Sequence, residues 1–335
     1  MEPKKLFINT AGRLRSGWRL AVFVLAYIVC LLLITSAVRV AYAAAIHLAP
    51  GVSLGFLVQD VVYRLIILTS SLAAGYACTR LLEGLPWLSL GLSFHVGWFR
   101  DLLIGTAIGI ASLTFAAAIA TAGGGLRFTF STAGIFAQVA KTLALSGVLF
   151  LVAALAEEAL FRGYPLQTLT RARLAMLGVL LTSVPFAAVH LQNPNTALGF
   201  TFVNTALAGV WLATAYLRTR SLWFPLGVHW AWNWALGSLF GLPVSGITRI
   251  APHPLLQGTD FGPAWLTGGS YGIEGGLACT TTLVISTVFI WRTRLVSATD
   301  EMKRLTSQEN PKQGDLNTIH EIPRNHTNKI WCWFV

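Results

Sequence analysis

The chain has 335 residues, of which 55% are hydrophobic and 11% charged, with a mean hydropathy of +0.64. Soluble domains carry about a quarter charged residues, so this composition excludes a soluble globular class and points to an integral membrane protein. A formal net charge of +11 would suit nucleic acid, but the basic residues cluster at the ends of apolar runs rather than on a polar face with interleaved aromatics. Topology therefore accounts for them, and no nucleic-acid partner is expected.

In chain order, a basic leader over 1–17 precedes eight runs, each able to cross a hydrocarbon core of about 30 Å. They cover 18–43, 57–79, 102–122, 142–161, 174–191, 197–217, 222–241 and 273–291. The expected fold is all-α, a polytopic transmembrane bundle of about eight spans. Spans one to three occupy 18–139, a core of spans four to seven occupies 140–242, and an external loop over 243–272 acts mainly as a spacer. Span eight lies within 273–294, and the polar tail over 295–335 reads as disordered. Lys4, Lys5, Arg13, Arg15 and Arg19 precede span one, Arg171 and Arg173 follow span four, and Arg218 and Arg220 follow span six. With Arg292, Arg294, Lys303 and Arg304 after span eight, all fall on one side, which places both termini in the cytoplasm. The first run is too long for a cleavable signal peptide. Cys30, Cys78, Cys279 and Cys332 show neither a disulfide framework nor a zinc knuckle.

An ionisable group inside a bilayer costs about 2.5–3.5 kcal/mol on insertion scales, so each one is a functional candidate. Arg39, Asp60, Arg64, Arg80 and Glu83 lie near span ends, where snorkelling or pairing would serve, and Glu274 opens span eight at a helix N-terminus. AEEALFRGY over 156–164 is harder to excuse. Glu158 and Arg162 are four apart with the acid first, the favourable order for an ion pair on a helix surface. Glu157 projects about 100° away and lacks that partner.

Two further spans carry polar groups. Span five places His190 one turn beyond Phe186, near the helix-kinking Pro185. Span seven places His229 and Asn233 one turn apart on one face. Counted from the basic turns at about 1.5 Å per residue, Glu157, His190, His229 and Asn233 fall at overlapping depths. A desolvated Glu157 suits a general base for water, a nearby histidine shares the proton, and His229 with Asn233 can hold an oxyanion. Water attack on a carbonyl fits this set better than a serine or cysteine nucleophile, since no G-x-S-x-G occurs and no cysteine lies in spans four to seven. A metal is the competing interpretation. Glu157, His190 and His229 also make up a two-histidine, one-carboxylate zinc set, although H-E-x-x-H is absent.

Glu157-Glu158-x-x-x-Arg162, Phe186-x-x-x-His190 and His229-x-x-x-Asn233, on three apolar spans, resemble the CPBP family of intramembrane endopeptidases. That family includes CAAX prenyl endopeptidases and bacteriocin self-immunity proteins. The resemblance covers about residues 140–242. It implies that Glu157 and His190 activate water, that His229 and Asn233 stabilise the oxyanion, and that Glu158 and Arg162 support the site. The implied partners are the lipid bilayer and a peptide or membrane-protein substrate, in what the compact spans suggest is a bacterial plasma membrane. Whether the cofactor is none or one divalent metal such as zinc stays open, because the family has been described in both ways. A non-catalytic membrane scaffold or self-immunity protein is the alternative. A proton-relay transporter is less supported, since no inverted repeat is apparent.

Overall fold

The computed structural model describes residues 4–9, 12–49, 51, 53–130 and 136–307. It is an all-α bundle, as expected. Among the described residues six helical stretches are long and apolar enough to cross a membrane, and Leu277–Arg292 is a shorter apolar helix. We label the helices α1 (Ser16–Leu48), α2 (Phe56–Cys78), α3 (Trp98–Ala122), α4 (Phe136–Glu158), α5 (Tyr164–Arg171), α6 (Ala175–Val189), α7 (Phe200–Thr219), α8 (Trp223–Trp234), α9 (Leu277–Arg292) and α10 (Asp300–Leu305).

Helix α1 buries only Ser16, Arg19 and Phe23. The rest of its apolar surface faces outward, as a lipid-facing helix should, because a bilayer exerts no pressure to hide leucine. Helices α3 and α8 instead meet backbone to backbone. A Cβ on Gly105 would lie 2.3 Å from the Phe224 carbonyl oxygen, one on Gly109 2.4 Å from that of Val228, and one on Gly227 2.2 Å from that of Leu102. Small residues permit this crossing, which is how helices associate tightly in lipid.

Three helices end in π-helical turns: Thr79–Glu83 after α2, Ala159–Gly163 after α4, and Ala235–Leu239 after α8. Such turns concentrate at functional sites because the extra residue re-aims neighbouring side chains. The one after α4 continues directly into α5, so the fourth crossing runs from 136 to 171 and outlasts the expected end at 161.

Several sequence expectations are revised. Arg19 and Arg171, assigned above to topology, are buried at 0% and 4% exposure. Both pair with Glu83, itself 3% exposed rather than snorkelling. Arg19 Nη1 lies 2.8 Å from Glu83 Oε1, Arg171 Nη2 reaches Oε2, and the Thr168 hydroxyl donates to Oε1 at 2.8 Å. Two cations around one carboxylate are tolerable in the interior because each charge has an oppositely charged or hydrogen-bonded neighbour. The loop after α8 is more than a spacer. Its strand β2 (Leu256–Asp260) pairs antiparallel with β1 (Leu126–Phe130), Leu126 opposite Asp260, tying the loop to the end of α3. The expected disordered tail begins with α10, capped by the Thr299 hydroxyl and with Met302 and Leu305 buried. Residues 308–335 of that tail, and 1–3, 10 and 11 of the leader, lie outside the described residues.

Candidate active site

Glu157, His190, His229 and Asn233 line one cavity. Glu157 and Glu158 close α4, His190 follows the end of α6, and His229 and Asn233 lie on α8. Each is aimed by a local device. At the end of α6 the His190 backbone N–H bonds to Ala187 and Ala188 instead of Phe186. The freed Phe186 carbonyl accepts from His190 Nδ1 at 2.7 Å. A carbonyl only accepts, so Nδ1 carries the proton and Nε2 points its lone pair into the site.

Helix α8 is rotated by its tryptophans. Trp230 Nε1 donates to the Gly147 carbonyl at 2.9 Å, Trp234 Nε1 to that of Leu143 at 3.0 Å, and Trp232 Nε1 to the Glu274 carboxylate at 3.0 Å. Buried indoles seek such partners. These three fix the rotation that turns His229 and Asn233 toward the cavity, which both line.

Glu158 and Arg162 do form the expected pair, at 3.2 Å, but in the interior rather than on a helix surface: both side chains are 0% exposed. Arg162 also donates to the Gly209 carbonyl at 3.1 Å and stacks over the Phe186 ring, 4.6 Å from its centroid. Glu158 Oε1 accepts in turn from His229 Nδ1 at 2.8 Å. The chain Arg162–Glu158–His229 thus orients the imidazole from behind, as buried carboxylates do for functional histidines.

Glu157 faces the other way. Its Oε2 lies 3.6 Å from His229 Nε2 and 4.0 Å from His190 Nε2, and has no hydrogen-bond partner among the described residues. Its Oε1 is paired with Arg64 Nη1 of α2 at 3.0 Å, contrary to the expectation that Glu157 lacks a basic partner. Arg64 in turn leans on Asp60 at 3.5 Å. Glu157, His190, His229 and Arg64 line one cavity of about 280 Å³, with Tyr63, Phe186 and Asn233.

Residues 139–235 match the family described as type II CAAX prenyl endopeptidase Rce1-like. The chain carries an Rce1-like domain. Over these residues, under a third of the chain, it is similar to that family. No curated protein matches the chain. The Rce1-like domain supplies Glu157, His190, His229 and Asn233, but not the whole cavity. Arg64 comes from before it and Glu274 from after it. In the sequence both read as charges at span ends. The Asp60-x-x-x-Arg64 spacing within an apolar run was the available signal for the first; nothing local marked the second.

Proposed function

We propose that the protein is an intramembrane endopeptidase of CAAX type, hydrolysing a peptide bond in a membrane-associated peptide or protein segment. The observation that carries this reading is the convergence of Glu157 Oε2 with His190 Nε2 across 4.0 Å. That gap is too long for a direct hydrogen bond. A water donating bonds of about 2.8 Å to both atoms would do so at an angle of roughly 90°, close to its own geometry. Its lone pair is then free to attack a carbonyl carbon while Glu157 and His190 take the proton. The tetrahedral oxygen is held by the Asn233 amide and by His229. Because His229 Nδ1 already donates to Glu158, the ring donates from Nε2 only when doubly protonated, and the carboxylates on its two edges supply the counter-charge. Collapse returns the proton to the leaving amine.

Metal chemistry would draw on Glu157, His190 and His229. Among the described residues no three His, Cys, Asp or Glu side chains are grouped to hold an ion, and the Arg64 guanidinium already occupies one Glu157 oxygen. A dication there would meet a fixed positive charge, so the donor set fits a metal poorly and we route no step through one. The basic turns at Arg173, Arg218 with Arg220, and Arg292 with Arg294 support cytoplasmic termini. The test is cleavage of a reporter peptide by protein purified in detergent: Glu157→Ala should remove it, and undiminished cleavage by that variant would overturn the mechanism.

A further inference from the structure

The charged residues lining the cavity are Arg64, Glu157 and Glu274, beside the two histidines. Arg64 answers Glu157. Glu274 is held on the loop that precedes α9, and every group that touches its carboxylate is neutral: Trp232 Nε1 at 3.0 Å, the Ser245 backbone N–H at 2.6 Å and the Ser245 hydroxyl at 3.2 Å. Among the described residues no Lys, Arg or His lies within ion-pair distance of it. By contrast, Glu83, Glu157 and Glu158 each have a cationic partner. A carboxylate held by neutral donors in a cavity among membrane helices calls for a positive partner, and this chain supplies none nearby.

We infer that Glu274 forms an acidic specificity subsite that receives a cationic nitrogen of the substrate, from a lysine or arginine side chain near the scissile bond or from the amino terminus of a short peptide. The placement suits that role. Trp232, which holds Glu274, immediately precedes Asn233 on α8, so the subsite and the oxyanion donor are fixed to each other through one residue. Ser245 brings the loop backbone onto the same carboxylate, so Glu274 ties the loop to the cavity wall. The inference rests on the endopeptidase reading above.

Purified protein is given otherwise identical apolar fluorogenic peptides carrying Lys, Gln or Glu at one position at a time, each with a free or an acetylated amino terminus. One position, or the free terminus, should favour the cation over its neutral counterpart by about tenfold in kcat/KM. Glu274→Gln keeps one acceptor oxygen but not the charge, and should bring that ratio close to one. Glu274→Asp should retain a preference, and Glu274→Lys should reverse it in favour of Glu. A wild type without charge preference, a preference surviving Glu274→Gln, or an equal loss on all peptides would each overturn the subsite. If the wild type cleaves none of the peptides, the endopeptidase reading fails first. Binding of the same peptides, followed by fluorescence anisotropy, then decides the subsite: Glu274-dependent preference for the cationic peptide supports it, and equal binding overturns it.

Discussion

Gly109→Ala is a single methyl group added on α3, outside the Rce1-like domain and away from the cavity. Its Cβ would lie 2.4 Å from the Val228 carbonyl oxygen and 3.0 Å from the Ala231 Cβ, both on α8. Restoring an ordinary contact near 3.4 Å requires the two helices to part by about 1 Å, because neither obstacle is the end of a flexible side chain. Overpacking of this kind costs about 1–3 kcal/mol of stability. The functional cost is larger. Val228 adjoins His229, so the displacement is delivered to the imidazole that sits 2.8 Å from Glu158 and 3.6 Å from Glu157. A 1 Å misplacement of a catalytic group lowers a rate by about 100-fold. The assay is initial rate of reporter-peptide cleavage beside thermal unfolding in the same detergent, with Gly17→Ala as control, since a Cβ there meets nothing within 4 Å. If Gly109→Ala cleaves at the wild-type rate, the α3–α8 crossing does not hold His229 in place and the reasoning is wrong.

Glu158→Gln removes the shared partner of Arg162 and His229 and should cost about 3–5 kcal/mol of stability, the usual penalty for stranding a buried charge. Pairing it with Arg162→Met should recover much of that loss in thermal unfolding while leaving cleavage impaired, because His229 would still lack its carboxylate. Arg64→Ala should slow cleavage by about tenfold, reflecting the loss of roughly 1.5 kcal/mol for a hydrogen bond to a charged group. Arg64→Lys should restore part of the rate, and equal rates for the two variants would dismiss the Arg64–Glu157 contact as incidental. Exhaustive treatment with a strong divalent-metal chelator should leave the rate unchanged; inhibition reversed by added zinc would restore the metal interpretation.

Hydropathy made the apolar runs visible, and a helix lies over each of them, the fourth extending well beyond its expected end. It does so because the π-helical turn at 159–163 lets the helix continue through Gly163 and Pro165. No periodicity in the sequence announces an i→i+5 turn. The polar faces at Glu157, His190 and His229 were legible because carboxylates and imidazoles are rare among apolar residues, and helical spacing said which of them share a face. Burial was not legible. Arg19 and Arg171 look like any basic residue beside a span, and only the fold shows that Glu83, from a third helix, meets both. Arg64 escaped for a related reason: its partner Glu157 lies 93 residues away, beyond any local pattern.

The meeting of Arg19, Glu83 and Arg171 also sets an order on biosynthesis. Arg19 leaves the ribosome first, the acid that receives it follows 64 residues later, and Arg171 follows Glu83 after a further 88. The first helix is therefore translated before both groups that bury its arginine: Glu83 comes with the second helix and Arg171 with the end of the fourth crossing. A truncation ending between residues 83 and 171 would leave Arg19 paired with Glu83 but take the second cation and the Thr168 donor away from that carboxylate. The contact that seats the first helix is thus completed by the fourth crossing, the same one that carries Glu157.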